Sequence, residues 1–119
     1  MLLNVTKTHC MLFTFKHNVP GLSIKINNIE IEEKHTTSIL GVQIDNKLNW
    51  KAHISHICNK IRKSIAILRM VRSVFPRYIL RMIYMSLIYS NINYCNLIWG
   101  CAEKVHVERL FILQEKLYE

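Results

Sequence analysis

The apolar residues of this chain change their spacing near residue 49, and this change constrains the fold more than any other feature. Before it, apolar and polar residues alternate as they do in β-strands, first over residues 8–15. The segment SIKINNIEIEE then places isoleucines on both sides of Asn27 and Asn28, a pair that tolerates the positive φ of a tight hairpin. Residues 36–45 are a third β-rich run with Gly41 in its middle, so we expect a small antiparallel sheet.

After residue 49 the spacing becomes helical. A first helix is expected to begin at an Asn49 N-cap, and Pro76 starts a second whose broad apolar face should be nearly all buried. Gly100 interrupts the helical pattern, and leucines at helical spacing over residues 105–117 indicate a third helix. The fold class is therefore α+β, a small sheet over 1–48 followed by about three helices over 49–119. The apolar stripe of the first helix consists of Trp50, Ile54, Ile57, Ile61, Ile65 and Leu68.

Composition and charge indicate a packed intracellular protein with an anionic partner. The chain has 119 residues, of which half are hydrophobic, and its 16 Lys and Arg against 8 Asp and Glu give a net charge of +8. Nucleic acid and an anionic membrane surface both fit that charge. Four scattered cysteines favour a reducing compartment, and the N-terminal residues do not resemble a signal peptide, so cytoplasm or nucleus is expected.

The uncharged residues 82–102 are long enough to cross a bilayer, which leaves a membrane-associated protein as an alternative. Two serines and three asparagines within them would need partners in hydrocarbon, so we prefer a buried helix followed by a turn. The tyrosines at 78, 84, 89 and 94 could stack on bases, but such an apolar setting indicates core positions first.

The first helix carries most of the candidate binding residues. Lys51, Arg62 and Arg69 fall within about 20° of one another on a helical wheel and flank the apolar stripe. His53, His56 and Cys58 suggest zinc, but their spacing provides no fourth ligand, and we prefer a polar helix face. The full set of candidate phosphate-binding residues is Lys51, Lys60, Arg62, Lys63, Arg69 and Arg72.

Four segments, in order, resemble reverse transcriptases of LINE-type (non-LTR) retrotransposons of the jockey kind: LNVTKTHCMLF, SILGVQIDNKLNWKAHI, YSNINYCNLIWG and LFILQEKL. The resemblance implies that residues 1–48 are the end of the polymerase palm and residues 49–119 a helical thumb. It assigns Lys7 to the lysine implicated in protonating the leaving pyrophosphate. It assigns Leu40 and Gly41 to the primer grip, for which a β-bulge glycine without a ligand is the plain alternative.

The same resemblance implies a carboxy-terminal polymerase fragment that binds an RNA/DNA template–primer duplex. The family's paired aspartates, which hold two metal ions, are expected upstream of LNVTKT. We therefore expect no cofactor and no metal site in this chain, with Mg²⁺ needed only by a full-length polymerase, and no polymerisation by this chain alone. The alternatives are a truncated gene model of an active reverse transcriptase, or a fragment that folds poorly without its palm. Self-association through surfaces left by the missing palm is also expected.

Overall fold

The computed structural model of the chain describes residues 2–117. The chain divides into two compact units, Met1–Asn49 and Trp50–Glu119. Short strands make up the regular structure of the first unit, apart from one 3₁₀ turn at Val5–Lys7, and helices make up that of the second. The α+β class is confirmed.

The strands of the first unit are short and pair as three separate two-stranded ladders rather than one sheet. Two ladders are antiparallel hairpins, β2 (Lys25–Ile26) with β3 (Ile29–Glu30) and β5 (Thr36–Ile39) with β6 (Val42–Asp45). The third pairs β1 (His9–Cys10) with β4 (Glu32–Glu33) in parallel, with His9 opposite Glu32. Residues 8–15, where apolar and polar residues alternate, contain only a two-residue strand.

Both hairpins have two-residue turns in which each central residue has a positive φ. Asn27 and Asn28 have φ of 51° and 63°, as the sequence predicts for that pair. The β-rich run 36–45 folds in half at Leu40 (φ 50°) and Gly41 (φ 82°). Gly41 therefore lies at a turn, where glycine adopts positive φ without steric cost, and not at a β-bulge.

Over residues 50–117 the second unit contains three principal helical segments and one single-turn helix. The first is α1, Lys51–Val71. The second is continuous over residues 77–93 and comprises α2 Arg77–Tyr84, a π-helical segment Met85–Tyr89 and α3 Ser90–Asn93. After α4, Asn96–Trp99, the last is α5, Lys104–Glu115. The three predicted helices are present, and α4 is a short turn that the sequence did not indicate.

The core of the second unit forms around α1, which contacts both the 77–93 helix and α5. The predicted stripe from Trp50 to Ile65 is buried, and Leu68 is half-buried. Leu110 and Leu113 of α5 are also buried, which agrees with the spacing of its leucines. Burying each such side chain stabilises the fold by about 1.5–3 kcal/mol.

The expectation that Asn49 caps α1 is wrong, because Trp50 occupies the N-cap position with φ 63°. A turn just before the helix explains the difference. One carboxylate oxygen of Asp45 accepts a hydrogen bond from the backbone N–H of Lys47 at 3.2 Å, and the other accepts from that of Asn49 at 3.1 Å. A side chain four residues away therefore engages the backbone of the residue that the local sequence marks as a cap.

The second helix was expected to have a broad apolar face that is nearly all buried, but most of that face is only half-buried and the helix exposes further apolar residues. Ile88 is its one fully buried residue among those described, while Tyr78, Met82, Met85 and Tyr89 are 68%, 65%, 45% and 44% exposed. Tyr94 is exposed as well and Tyr84 half-buried, so the tyrosines are not core residues. The physical reason is that α1 packs against only one side of this helix. Within residues 2–117 no helix has both the length and the apolar character that crossing a membrane requires.

Candidate nucleic-acid interface

The stretch between Asp45 and Glu103 contains no acidic residue. It includes all of α1 and all of the 77–93 helix, so neither helix has a negative side chain of its own to neutralise its cations. Such segregation produces a positive surface potential that attracts polyanions. The basic residues of this stretch are Lys47, Lys51, Lys60, Arg62, Lys63, Arg69, Arg72, Arg77 and Arg81.

The structure places the candidate residues of α1 on its solvent side, and all of them are exposed. Lys51, Arg62 and Arg69 form a row along one margin of the buried stripe, about 27 Å long at 1.5 Å rise per residue. Lys60 lies on the opposite margin, and Lys63 lies between the two margins. We call these five residues the basic arc of α1. Arg72 follows the last residue of the helix and lies outside the arc.

Two of these arginines make hydrogen bonds that fix their position. Arg62 Nη1 donates to Asn59 Oδ1 at 3.0 Å, one turn earlier on the same helix. Arg69 Nη2 donates to the backbone carbonyl of Lys116 at 3.2 Å and so connects α1 to the end of α5. A guanidinium has five N–H donors, so one such bond leaves capacity for a phosphate. Arg69 therefore has a structural role in addition to its charge.

The row matches the dimensions of a nucleic-acid backbone. With phosphates spaced about 3.4 Å along each strand, a 27 Å row extends past roughly eight phosphates of one strand. Cations paired with phosphates release counterions and bind without reading bases. Exposed cations in this arrangement can therefore pair with the phosphates of a polyanion without reading its sequence.

The Leu40–Gly41 hairpin tip of the first unit presents an apolar side chain to solvent. Leu40 is 86% exposed even though it occupies the left-handed region, which costs an L-residue about 1–2 kcal/mol. Gly41, which has no Cβ, allows another backbone to approach the tip closely. An exposed leucine held in a costly conformation is typical of a contact site rather than of a core.

Lys7 is the last residue of the 3₁₀ turn Val5–Lys7, and it is exposed. Its backbone N–H donates to the carbonyl of Asn4 at 3.2 Å, while the Asn4 side chain accepts from the N–H of Thr6 at 3.2 Å. The turn therefore fixes the backbone of Lys7 and leaves its side chain in solvent, where an ammonium group can lend charge or a proton to a phosphate.

His53 and Cys58 lie in the core, not on the polar helix face that the sequence suggested. The ring of His53 lies 5.8 Å from that of Trp99, centroid to centroid, at an angle of 56°. Burial lowers the pKa of His53, with smaller contributions from the charges of His56 and Lys60. Burial raises the pKa of the Cys58 thiol despite the opposing charges of Arg109 and Arg62. Among residues 2–117 no three His, Cys, Asp or Glu side chains come together as metal ligands do.

The structure adds Arg77, which the sequence analysis did not single out. A cleft of about 970 Å³ separates the end of α1 from the start of α2, and it is lined by Arg72, Ser73, Phe75 and Arg77 among others. Arg77 directly follows Pro76 at the start of a helix that was described by its apolar face, so the surrounding residues did not indicate an exposed basic residue there. The proximity of Arg72 and Arg77 arises from the turn between the two helices, which sequence spacing does not reveal.

Comparison with known proteins identifies two relatives of this chain, both from Drosophila melanogaster. The chain is 26% identical over 118 residues to the probable RNA-directed DNA polymerase from transposon X-element, with 97% of the chain and 13% of the relative aligned. It is 29% identical, over an alignment of 122 residues, to the RNA-directed DNA polymerase from mobile element jockey, with 96% of the chain and 13% of the relative aligned. No family model matches the chain, and no solved structure matches it. The chain thus spans about 13% of the length of these curated relatives, and the match over nearly all of its own residues shows that it is related to the reverse transcriptases of jockey-like non-LTR retrotransposons.

Proposed function

We propose that this chain binds an RNA/DNA template–primer duplex without sequence preference, through the basic arc of α1. The observation that carries the proposal is that five exposed cations occupy the solvent side of a helix that contains no acidic residue. The relatives are named as RNA-directed DNA polymerases, enzymes whose work requires holding such a duplex. In this proposal residues 49–119 act as a thumb that lies along the duplex.

The energetics favour phosphate contacts over base reading. Each phosphate neutralised contributes about −0.9 to the slope of log affinity against log salt, so four or five contacts predict a slope of roughly −4. Base reading would require side chains that enter a groove with fixed hydrogen-bond geometry. Three of the five residues of the arc are lysines, and a lysine acts as a flexible point charge rather than a planar fork.

The hairpin tip is proposed as a second contact, corresponding to the primer grip. Leu40 would pack against a sugar of the primer strand, and Gly41 would let the hairpin backbone approach its phosphates. The positive φ of both residues and the exposure of Leu40 support this assignment. Because the tip carries no charge, its contribution to affinity should be independent of salt.

Lys7 is proposed as the acid that protonates the leaving pyrophosphate when the segment is part of a complete polymerase. Its support is the match to the family's LNxxKT segment and its exposed position at the end of a turn. A lysine with this role acts on the pyrophosphate and not on the duplex. Neutralising Lys7 should therefore change duplex affinity less than neutralising a residue of the arc.

We propose further that the chain by itself does not join nucleotides. The acidic groups of its first unit are engaged in local structure: Glu33 accepts from the backbone N–H of Leu22 at 3.1 Å, and Glu32 lies 3.7 Å from the Lys34 ammonium. Asp45 organises the turn before α1. These carboxylates do not fit a two-magnesium centre, which needs several of them converging on one point.

The test is binding of a fluorescent RNA/DNA hybrid to the purified chain across a salt series, with two hybrids of unrelated sequence. We expect similar affinities for both hybrids and a steep loss with salt. The paired variant Lys60→Gln/Lys63→Gln should weaken binding, whereas the matched pair Lys16→Gln/Lys25→Gln, at two exposed lysines of the first unit, should not. A flat salt response, or equal effects of the two pairs, would contradict the proposal.

The second candidate is that the chain is one segment of an active reverse transcriptase. The observation favouring it is that the curated relatives are much longer than the part that aligns. The nucleotide sequence upstream of the Met1 codon tests it. An open frame encoding an aromatic residue followed by Ala-Asp-Asp would support this candidate, and a stop codon with no such segment would oppose it.

A further inference from the structure

A groove of about 270 Å³ lies between α1 and α5, and basic side chains stand on both of its walls. Arg62 and Arg69 border it on the α1 side, and Lys116 borders it on the α5 side. Within residues 2–117 no carboxylate lines this groove. We call it the α1–α5 groove. Its floor is apolar and consists of Ile65, Ala66 and Leu113.

Arg109 continues the basic wall of α5. It precedes Lys116 by seven residues, so the two fall within about 20° of each other on one margin of the buried face of α5. Arg62 and Arg69 have the same separation on α1. The charges of Arg109 and Arg62 both act on the Cys58 thiol and oppose the rise in its pKa, so both guanidinium groups lie near the same turn of α1. One end of the groove therefore has an arginine on each wall.

A hydrogen bond joins the two walls at the other end. Arg69 Nη2 donates to the backbone carbonyl of Lys116 at 3.2 Å. Carbonyls in the last turn of a helix carry partial negative charge, and the guanidinium offsets that charge where it would repel an anion. The bond uses the backbone of Lys116 and not its ammonium group. Two cations thus stand at each end of the groove.

The carboxylates of α5 lie farther round the helix. Glu108 and Glu115 are each about 100° from the basic neighbour that follows them in sequence, on the side away from the groove. Glu108 also pairs with Lys104 at 3.9 Å. α5 as a whole therefore has mixed charge, whereas its margin along the groove is basic.

We propose that one sugar–phosphate strand of the template–primer duplex lies in the α1–α5 groove, with Arg109 and Lys116 as phosphate contacts beside Arg62 and Arg69. This inference rests on the proposed function of α1 and extends its interface onto a second helix. The axes of packed helices lie about 8–10 Å apart, so cations on the two facing margins reach the same strand. The apolar floor contacts the sugars, which are less polar than the phosphates.

The positions of the cations favour a chain of phosphates over a single anion. A separation of seven residues corresponds to about 10.5 Å along each helix, which spans about three phosphates spaced 3.4 Å apart along the helix axis of a strand. A single phosphate would contact the cations at one end of the groove and leave those at the other end unused. A strand engages both ends at once, and it does so without reading bases.

The experiment is binding of a fluorescent RNA/DNA hybrid to the full chain across a salt series. Arg109→Gln/Lys116→Gln should make the slope of log affinity against log salt shallower by about 1.8, which is 0.9 for each lost contact. The pair Lys16→Gln/Lys25→Gln, which removes two charges from the first unit, should leave the slope unchanged. Circular dichroism of each variant confirms that it is folded.

Single substitutions on α5 provide the matched comparison. Lys116→Gln should reduce the slope by about 0.9, and it leaves the hydrogen bond of Arg69 in place because that bond uses a backbone carbonyl. Lys104→Gln removes the same charge from the same helix outside the groove, so its slope should equal that of the unmodified chain. Lys116→Arg keeps the charge and should retain both affinity and slope. Equal slopes for Lys116→Gln and Lys104→Gln would overturn the inference.

Failure of this inference and failure of the proposed function give different results. If Lys60→Gln/Lys63→Gln weakens binding and Arg109→Gln/Lys116→Gln does not, the basic arc binds the duplex and the groove is overturned. If neither pair changes affinity or slope, both proposals are overturned. If the α5 pair alone reduces the slope, the groove is supported and the interface moves from the outer side of α1 to the margin that faces α5.

Discussion

Replacing Leu40 by asparagine should stabilise the hairpin and weaken duplex binding at the same time. Leu40 has φ 50° at the first central position of a two-residue turn, where asparagine followed by glycine is the preferred pair. Relief of the left-handed penalty predicts a gain of about 1 kcal/mol, at the lower end of its 1–2 kcal/mol range. The side chain is 86% exposed, so the substitution removes little packing from the hairpin.

The gain can be measured by amide hydrogen exchange of β6, because opening of the β5–β6 ladder controls exchange there. A gain of 1 kcal/mol should slow exchange about fivefold. The matched control is Leu2→Asn, which makes the same change at a position that is 99% exposed and not in a turn. It should leave exchange in β6 unaltered. Unchanged exchange in the Leu40 variant would refute the claim of backbone strain.

The same variant tests the proposed primer grip. If Leu40 packs on the primer, its loss should reduce hybrid affinity up to about tenfold, the equivalent of 1.4 kcal/mol, while the salt slope stays the same because no charge is removed. Equal affinity of the Leu40→Asn and Leu2→Asn variants would remove the hairpin tip from the interface. The combination of higher stability with weaker binding is the result that a merely structural turn would not give.

Three further predictions concern the core of the helical unit. Replacing Ile61, which is 1% exposed, by alanine should lower the free energy of unfolding in chemical denaturation by about 2–5 kcal/mol. Ile67→Ala, at a position that is 47% exposed, should lower it much less. Burial lowers the pKa of His53 below its ordinary 6.5, so the unfolded chain binds a proton at this residue more readily than the folded chain does. The free energy of unfolding should therefore fall as the pH drops below 6.5, by at most about 1.4 kcal/mol per pH unit. The variant His53→Phe should show a weaker pH dependence in urea titrations at several pH values. Burial raises the pKa of the Cys58 thiol, so a maleimide at neutral pH should label the exposed Cys101 well before Cys58. Mass spectrometry of digested samples measures the order of labelling, and earlier labelling of Cys58 would contradict the prediction.

The sequence predicts this fold best where one local pattern decides the structure. The spacing of the apolar residues from Trp50 to Ile65 predicts a helix, and that helix is the centre of the second unit. Asn27 and Asn28 form the expected turn because their side chains tolerate positive φ wherever the pair occurs. In both cases the controlling interactions lie within a few residues along the chain.

Prediction fails where contacts between distant segments, or their absence, decide the outcome. The 77–93 helix has apolar residues on both sides, and its sequence cannot show that α1 covers only one of them. The Asn49 cap fails because Asp45 engages the preceding turn. The exposure of the basic residues on α1 could be read from the helical wheel, but the position of Arg77 near Arg72 depends on the turn between the helices. The roles of Lys7, Leu40 and Gly41 come from resemblance and remain predictions.

The salt dependence of hybrid binding in a charge-neutralised α1 tests the central claim most directly. If the basic arc binds phosphates, Arg62→Gln/Lys63→Gln should make the slope of log affinity against log salt shallower by about 1.8, which is 0.9 for each lost contact. A variant whose affinity and slope both equal those of the unmodified chain would contradict the account, because the duplex would then be held by another surface.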